Sequence, residues 1–244
     1  MCNRSCLNFG MLVIKKDDVE GKDVIEVGSK NDNGSLRPYI ESLGPSSYIG
    51  VDIKSGPGVD SICRIEDLIR VFGRDRFDLV VNTEVLEHVR DWRLGVHNLK
   101  NIVKPGGAVI ITTRSKGCHY HGHPFDFWRY DVNDMKTIFA DMDIDELRTD
   151  PEMPGVFLCA RKPQLFREAD LSGHKIYSVL LRFRCPVVAS TVLWRSVFLP
   201  IYSVLKLLYF FTGFRLLKNI LKKNLKPDEI ARLKSLLHKK GSKA

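Results

Sequence analysis

Acidic side chains almost vanish from the end of this chain: residues 171–244 hold 2 Asp or Glu against 15 Lys or Arg, whereas residues 1–170 hold 27 against 23. The net charge of +9 is therefore carried by the tail, at +13, over a front part at −4. Such asymmetry points the tail at an anionic surface, membrane headgroups or nucleic acid. Paired cysteines are also lacking. The six present, Cys2, Cys6, Cys63, Cys118, Cys159 and Cys185, show no finger or cluster spacing, which speaks against a disulfide framework and for reduced thiols in a cytosolic protein. The apolar stretch Met11 to Ile14 is too short for a secretory segment, and Lys15, Lys16, Asp17 and Asp18 close it. The longest nearly apolar window, Pro186 to Leu205, has the length of a bilayer span but contains Arg195 and two prolines, which puts it at the margin of a spanning helix and behind an interfacial arrangement.

A further absence decides the ligand class. The stretch Val24 to Gly34, VIEVGSKNDNG, is an apolar run ending in Glu26 and turning through Gly28 toward an expected helix, yet it offers only Gly28 and Gly34. A dinucleotide fingerprint needs Gly-x-Gly-x-x-Gly, whose second glycine admits a pyrophosphate. A sulfonium cofactor has no phosphate to cradle, and an acid at Glu26 suits an ammonium better than a pyrophosphate. Asp52, 26 residues beyond Glu26, stands at the end of SYIGVDI, near the spacing at which a second-strand carboxylate meets a ribose diol.

Apolar runs alternate with helical stretches through the front part. Strands are expected at Asp23–Val27, Ser47–Ile53, Gly58–Cys63, Phe77–Asn82 and Ala108–Arg114, with helices near Ser35–Leu43, Glu66–Phe72, Asp91–Val103 and Val132–Ala140. Lys104 to Gly107 reads as a turn that launches the fifth strand, and Ile144–Arg148 with Gly155–Ala160 as an antiparallel edge hairpin. The fold class is α/β: a Rossmann-like, doubly wound, mostly parallel seven-stranded sheet with that edge hairpin and a C-terminal helical, basic and apolar extension. The divisions are a lead-in 1–19, a catalytic domain 20–164 and an extension 165–244.

The succession EVGSKNDNG, YIGVDI, FDLVVNTEVLEHVRDW and LKNIVKPGGAVIITTRS resembles class I S-adenosylmethionine-dependent methyltransferases, in the subgroup of the ubiquinone and menaquinone biosynthesis enzymes. The resemblance covers about residues 20 to 162 and departs at Ser29 to Asn33, where that family has further glycines. It implies S-adenosylmethionine as cofactor. Glu26 and the backbone of Gly28, Ser29 and Lys30 would face its methionine part, Asp52 with Ile53 its ribose, and Ile65 with Glu66 or Asp67 its adenine. Asn82, Thr83 and Glu84 would floor the site near the reacting methyl. Strand-end acids also cap helices or bind basic neighbours, which is the competing role for each.

Methyl transfer from a sulfonium needs collinear positioning, and a hydroxyl acceptor also needs a base. His88, His121 and Asp126 are the catalytic candidates; a hydrogen bond that orients a helix start is the alternative for His88. The segment Cys118 to Tyr130, CHYHGHPFDFWRY, pairs Asp126 with Arg129 and gathers His119, His121 and His123 with Phe125, Phe127, Trp128 and Tyr130. Such aromatics either bind a ring at a substrate mouth or plug the pocket edge. The alternating histidines also fit a metal pattern, but no metal is expected, because the chemistry needs no Lewis acid.

The tail carries Phe214, Leu217, Ile220 and Leu221 on one helical face and Arg215, Lys218 and Lys222 on another. A further helix is expected from Pro227. The reading is a methyltransferase acting on a saccharide, glycolipid or other lipid-linked acceptor, cytoplasmic and peripheral at the inner membrane face, with residues 171–244 on the anionic membrane surface. Nucleic acid is not an expected partner, and a homo-oligomer stays open. The alternatives are a non-catalytic module of the same fold recruited to membrane-associated envelope enzymes, a tail that caps or dimerises against protein, and an NAD-linked oxidoreductase.

Overall fold

β-Branched and aliphatic runs become strands where the sequence places them. The computed structural model describes residues 3–121 and 126–188. In it, β1 (Asp23–Val27), β2 (Ser47–Asp52), β3 (Ser61–Ile62), β4 (Phe77–Thr83) and β5 (Val103–Arg114) pair in parallel, in the order β3-β2-β1-β4-β5. A second, antiparallel sheet joins β6 (Trp128–Arg129), β9 (Ile176–Ser178) and β10 (Arg184–Cys185). The large sheet is completed by β7 (Asp143–Thr149) and β8 (Gly155–Arg161), with β8 antiparallel to both β5 and β7. This is the expected seven-stranded sheet with its edge hairpin.

The strand order reverses between β1 and β4, which opens a crevice at their carboxyl ends. Val27 lies opposite Val51 on one side and Asn82 on the other, so Gly28, Asp52 and Thr83 emerge together on that edge. The helices are α1 (Arg4–Val13), α2 (Arg37–Ser42), α3 (Leu68–Phe72), α4 (Trp92–Ile102) and α5 (Val132–Ile138). Short polar residues start three of them: the side chains of Asn3, Asp91 and Asp131 accept from the N–H of Cys6, Leu94 and Asp134. The alternating strand residues divide the core in two. Ile25 and Val80 pack with Trp92, Val96 and Leu99, while Val24, Leu79 and Val81 pack with Phe9, Ile14, Leu36 and Phe157.

Three local expectations change. Lys104–Gly107 is a bulge inside β5: Phe77 pairs with Val103 and Leu79 already with Ala108, while Lys162 N–H donates to Gly107 O and Gly106 N–H to Lys162 O. The helix after Gly28 begins only at Arg37, because Gly34 N–H bonds Asn31 Oδ1 and turns the chain first, so no helix terminus stands directly behind the Gly28 turn. The segment 1–19 includes α1, whose Phe9 ring lies 5.0 Å from Phe157 and which belongs to the core.

The compact unit runs to Val188, past the expected boundary at 164. One arginine explains much of this: Arg93 of α4 donates to the carbonyls of Leu171, Ser172, His174 and Pro186 at 2.7–3.1 Å. No helix among the described residues is long and apolar enough to cross a membrane. The expected tail helices fall in 189–244, outside the described residues.

Candidate active site

Each cofactor-side candidate stands on the carboxyl edge. Gly28 has φ +87°, and a Cβ there would lie 2.1 Å from Val85 Cγ2, so glycine is required by both backbone and space. Its N–H and that of Ser29 both donate to Val51 O. The Asp52 carboxylate accepts from Lys54 N–H at 3.0 Å and Lys30 N–H at 3.3 Å, which fixes it beside the Gly28 turn. Glu26 is buried, and its carboxylate accepts from the Tyr48 hydroxyl and, at 3.4 Å, from Ser35. Burial pushes its carboxyl up to about 7 against the pull of those hydrogen bonds.

Ile65 and Glu66 lie on the single turn Ile65–Asp67, with Ile65 buried and held through its carbonyl by Asn98, while Glu66 pairs with Arg64. Ile53 is exposed, and Lys30 offers its backbone while its ammonium pairs with Asp32. Two buried polar atoms on candidate residues, Ser29 Oγ and Asn82 Oδ1, have no hydrogen-bond partner among the described residues. Polar atoms of this kind suit a ligand that completes them.

Glu84 has φ +58° and a buried carboxylate ion-paired with Arg114, with Cys6 Sγ 3.5 Å away. Its contribution to a cofactor floor is therefore backbone. Burial, reinforced by Glu87 and Cys6, raises the Glu84 carboxyl well above the ordinary value despite Arg114. Arg114 also reaches Asp150 at 3.3 Å.

The catalytic candidates converge. His88 ends the single turn Leu86–His88 just past β4, and three bonds stitch the 126–130 segment to that turn: Phe127 N–H to Glu87 O, Trp128 Nε1 to Val89 O and Tyr130 Oη to Leu86 O. His121 is thereby brought to His88, with their Nε2 atoms 3.2 Å apart. Asp126 Oδ2 lies 3.2 Å from His121 Nδ1 and accepts the His121 backbone N–H at 3.1 Å. Both terminal nitrogens of the Arg129 guanidinium clasp the Asp126 carboxylate. Burial works to raise the Asp126 carboxyl, but Arg129 and His121 outweigh it and hold it below the usual value. Asp126 Oδ2 and His119 O both face His121 Nδ1, so the proton is assigned there and Nε2 keeps its lone pair.

Sequence reasoning passed over Glu87, which is fully buried. Its Oε2 accepts from Thr113 at 2.8 Å, and its Oε1, which has no hydrogen-bond partner among the described residues, lies 3.9 Å from Nε2 of both histidines. Among the described residues, Glu87, His88 and His121 bring donor atoms within 4.8 Å of one another and could hold a metal ion. His123 and Phe125 lie outside the described residues. Phe127, Trp128 and Tyr130 are buried core, so they form a plug and are closed to ring stacking.

A mostly parallel sheet with a switch-point crevice, a tight glycine turn and a second-strand carboxylate define a nucleotide-type cofactor domain. The methyltransferase-domain family matches residues 9–149, and the chain belongs to that family. It is a class I S-adenosylmethionine-dependent methyltransferase by family, resembling the ubiquinone biosynthesis enzymes as its motifs imply. The ubiquinone biosynthesis O-methyltransferase of Rhizobium etli is 28% identical over 124 residues, 46% of this chain and 48% of the relative. The mitochondrial ubiquinone biosynthesis O-methyltransferase of Dictyostelium discoideum is 28% identical over 120 residues, 40% of this chain and 37% of the relative. The chain thus spans about half or less of the length of these relatives. Among solved structures, a Burkholderia thailandensis 1,6-didemethyltoxoflavin-N1-methyltransferase with bound S-adenosylhomocysteine shares the fold, at a TM-score of 0.52, 13% identity, 64% of this chain and 78% of that one.

Proposed function

We propose that the protein transfers a methyl group from S-adenosylmethionine to a hydroxyl of a small acceptor, with His121 and His88 handling the hydroxyl proton. The observation that carries this reading is that the Gly28 turn, Asp52 and the imidazole pair share one carboxyl edge of the sheet. The names of the relatives, O-methyltransferases, and the S-adenosylhomocysteine of the Burkholderia protein support it. When bound, S-adenosylmethionine supplies an electrophilic methyl on a sulfonium. Asp52 would accept the ribose hydroxyls, Glu26 would attract the ammonium, and Ile65 would pack against adenine. As the hydroxyl oxygen takes the methyl, His121 Nε2 takes the proton, and Asp126 stabilises the resulting imidazolium. Buried Glu87 and Asp126 are the carboxylates beside the imidazole pair, so the pair sits where a positive charge on a ring is stabilised.

The acceptor we favour is a saccharide, glycolipid or other lipid-linked molecule met at the cytoplasmic face of a membrane, to which the +13 tail draws the protein. Calorimetric titration with S-adenosylmethionine, S-adenosylhomocysteine and NAD tests the class: micromolar binding of the first two alone supports it, and their failure to bind folded protein leaves a non-catalytic module. Sedimentation of the full chain with vesicles of mixed anionic and zwitterionic lipid tests the address, and indifference to anionic vesicles defeats it.

A further inference from the structure

Tyr48 of β2 spends its hydroxyl on a candidate cofactor residue. The β1–β2 register sets Tyr48 opposite Val24 and Gly50 opposite Glu26, so Tyr48 and Glu26 are diagonal neighbours on one face of the sheet. The Tyr48 hydroxyl donates to Glu26 Oε2, and Ser35 Oγ reaches the same oxygen at 3.4 Å. Glu26 is 3% exposed, and its Oε1 has no hydrogen-bond partner among the described residues. One oxygen of this buried carboxylate is thus committed to the protein, and the other is left to be completed by a ligand.

The tyrosine is itself held. The Arg37 guanidinium lies 4.7 Å from the centre of its ring, and Arg37 is anchored by Glu41 at 2.7 Å and Asp60 at 2.9 Å. Ser35 is fixed as well, since its Oγ accepts the Arg37 N–H at 3.0 Å. Burial and the Glu26 charge push the Tyr48 hydroxyl far above its ordinary value, so Tyr48 keeps its proton and is the donor. Among the described residues Arg37, at the start of α2, is the charged group that bears on Glu26, and Glu41 and Asp60 offset it. A hydrogen bond donated to a carboxylate favours the ionised form, whereas burial favours the protonated one, and in Glu26 the two oppose each other. Only the ionised form attracts an ammonium strongly.

We propose that Tyr48 is a positioning residue for the cofactor: by donating to Oε2 it favours ionised Glu26 with Oε1 offered to the cofactor's ammonium, so that the site selects ligands carrying that amino-acid end. This rests on the methyltransferase reading and deepens it.

The test is calorimetric titration of the full-length protein, wild type and Tyr48→Phe, with S-adenosylhomocysteine and with 5′-methylthioadenosine, at a series of pH values from 6 to 9. The second ligand shares the adenosine and thioether of the first but has no ammonium. Tyr48→Phe weakens S-adenosylhomocysteine roughly five- to tenfold at pH 6, the size of about one hydrogen bond, and leaves methylthioadenosine unchanged. The gap closes to less than about twofold at pH 9, where Glu26 is ionised with or without the tyrosine. The ligand's own ammonium titrates alike with both proteins and cancels in the ratio. In a Glu26→Gln background Tyr48→Phe changes neither affinity. Equal weakening of both ligands, or a loss that does not vary with pH, shows a merely structural tyrosine and overturns the proposal. Wild-type binding of S-adenosylhomocysteine that is indifferent to Tyr48→Phe overturns the proposal alone, whereas folded wild-type protein that binds neither ligand overturns the cofactor reading and the proposal with it.

Discussion

His88 and His121 meet edge to face, Nε2 to Nε2 at 3.2 Å, although 33 residues separate them in the chain. Two imidazoles so close cannot both be charged without cost, and Asp126 supports only His121 directly. The two rings are in direct contact and are expected to work as a unit. His121→Ala should lower turnover by roughly 10²- to 10⁴-fold, the range of a lost general base, with cofactor affinity unchanged. His88→Ala with His121→Ala should cost no more than the worse single change. Rates that multiply in the double variant would show two independent roles. If chelation by EDTA abolishes turnover, Glu87 and the two histidines hold a metal ion and not merely a proton.

Asp52 accepts two backbone N–H groups, from Lys30 and Lys54, and so is already oriented before any ligand arrives. Asp52→Ala should weaken S-adenosylmethionine binding by about 1.5 to 3 kcal/mol, the worth of hydrogen bonds to a charged acceptor. Calorimetry on the pure protein reads this directly, and unchanged affinity removes Asp52 from the crevice.

How much of this was legible follows from what kind of information each element needs. β1, with Asp23–Val27 as expected, is set by its own buried apolar run, and its neighbours by the same βα rhythm. The acid at Asp52 and the glycine at Gly28 were legible because strand ends are positions in sequence as well as in space. Glu87 was not, since in the sequence it is one more acid on a helical turn; its burial beside both histidines exists only once Phe127, Trp128 and Tyr130 dock on residues 86–89. The aromatics of that segment read as a binding face or a plug, and only packing chose the plug. Likewise α1 and the 165–188 segment carry weak local patterns, and their place is fixed by distant partners, Phe157 and Arg93.

Glu26 makes stability and cofactor binding depend on pH in opposite directions. Its folded carboxyl titrates at about 7, against an ordinary 4.5, so the folded state holds the proton more tightly than the unfolded one. The associated stability is full below 4.5 and is lost as pH rises toward 7, by about 3 kcal/mol. Glu26→Gln should flatten this dependence in urea unfolding followed from pH 4.5 to 8. An ammonium beside Glu26 favours the ionised form, so S-adenosylmethionine affinity should climb up to pH 7 and then level, with proton uptake by the buffer below pH 7. Calorimetry in buffers of different ionisation enthalpy checks it; binding without proton release at pH 6 would place the ammonium elsewhere.

Gly28 brings the strand-to-loop turn against Val85, the residue that precedes the His88 turn, and so ties the cofactor edge to the catalytic one. Alanine there suffers twice: φ is +87°, and the new methyl would lie 2.1 Å from Val85 Cγ2. The backbone cost and the overpacking together come to about 2 to 4 kcal/mol. Val85→Ala combined with Gly28→Ala should recover the packing part and leave the backbone part, because removing Cγ2 opens the space without changing φ. Urea midpoints at unchanged slope measure both. A single-variant loss under about 1 kcal/mol would contradict the close approach, while full recovery in the double variant would show that the turn tolerates a side chain and that only Val85 forbids it.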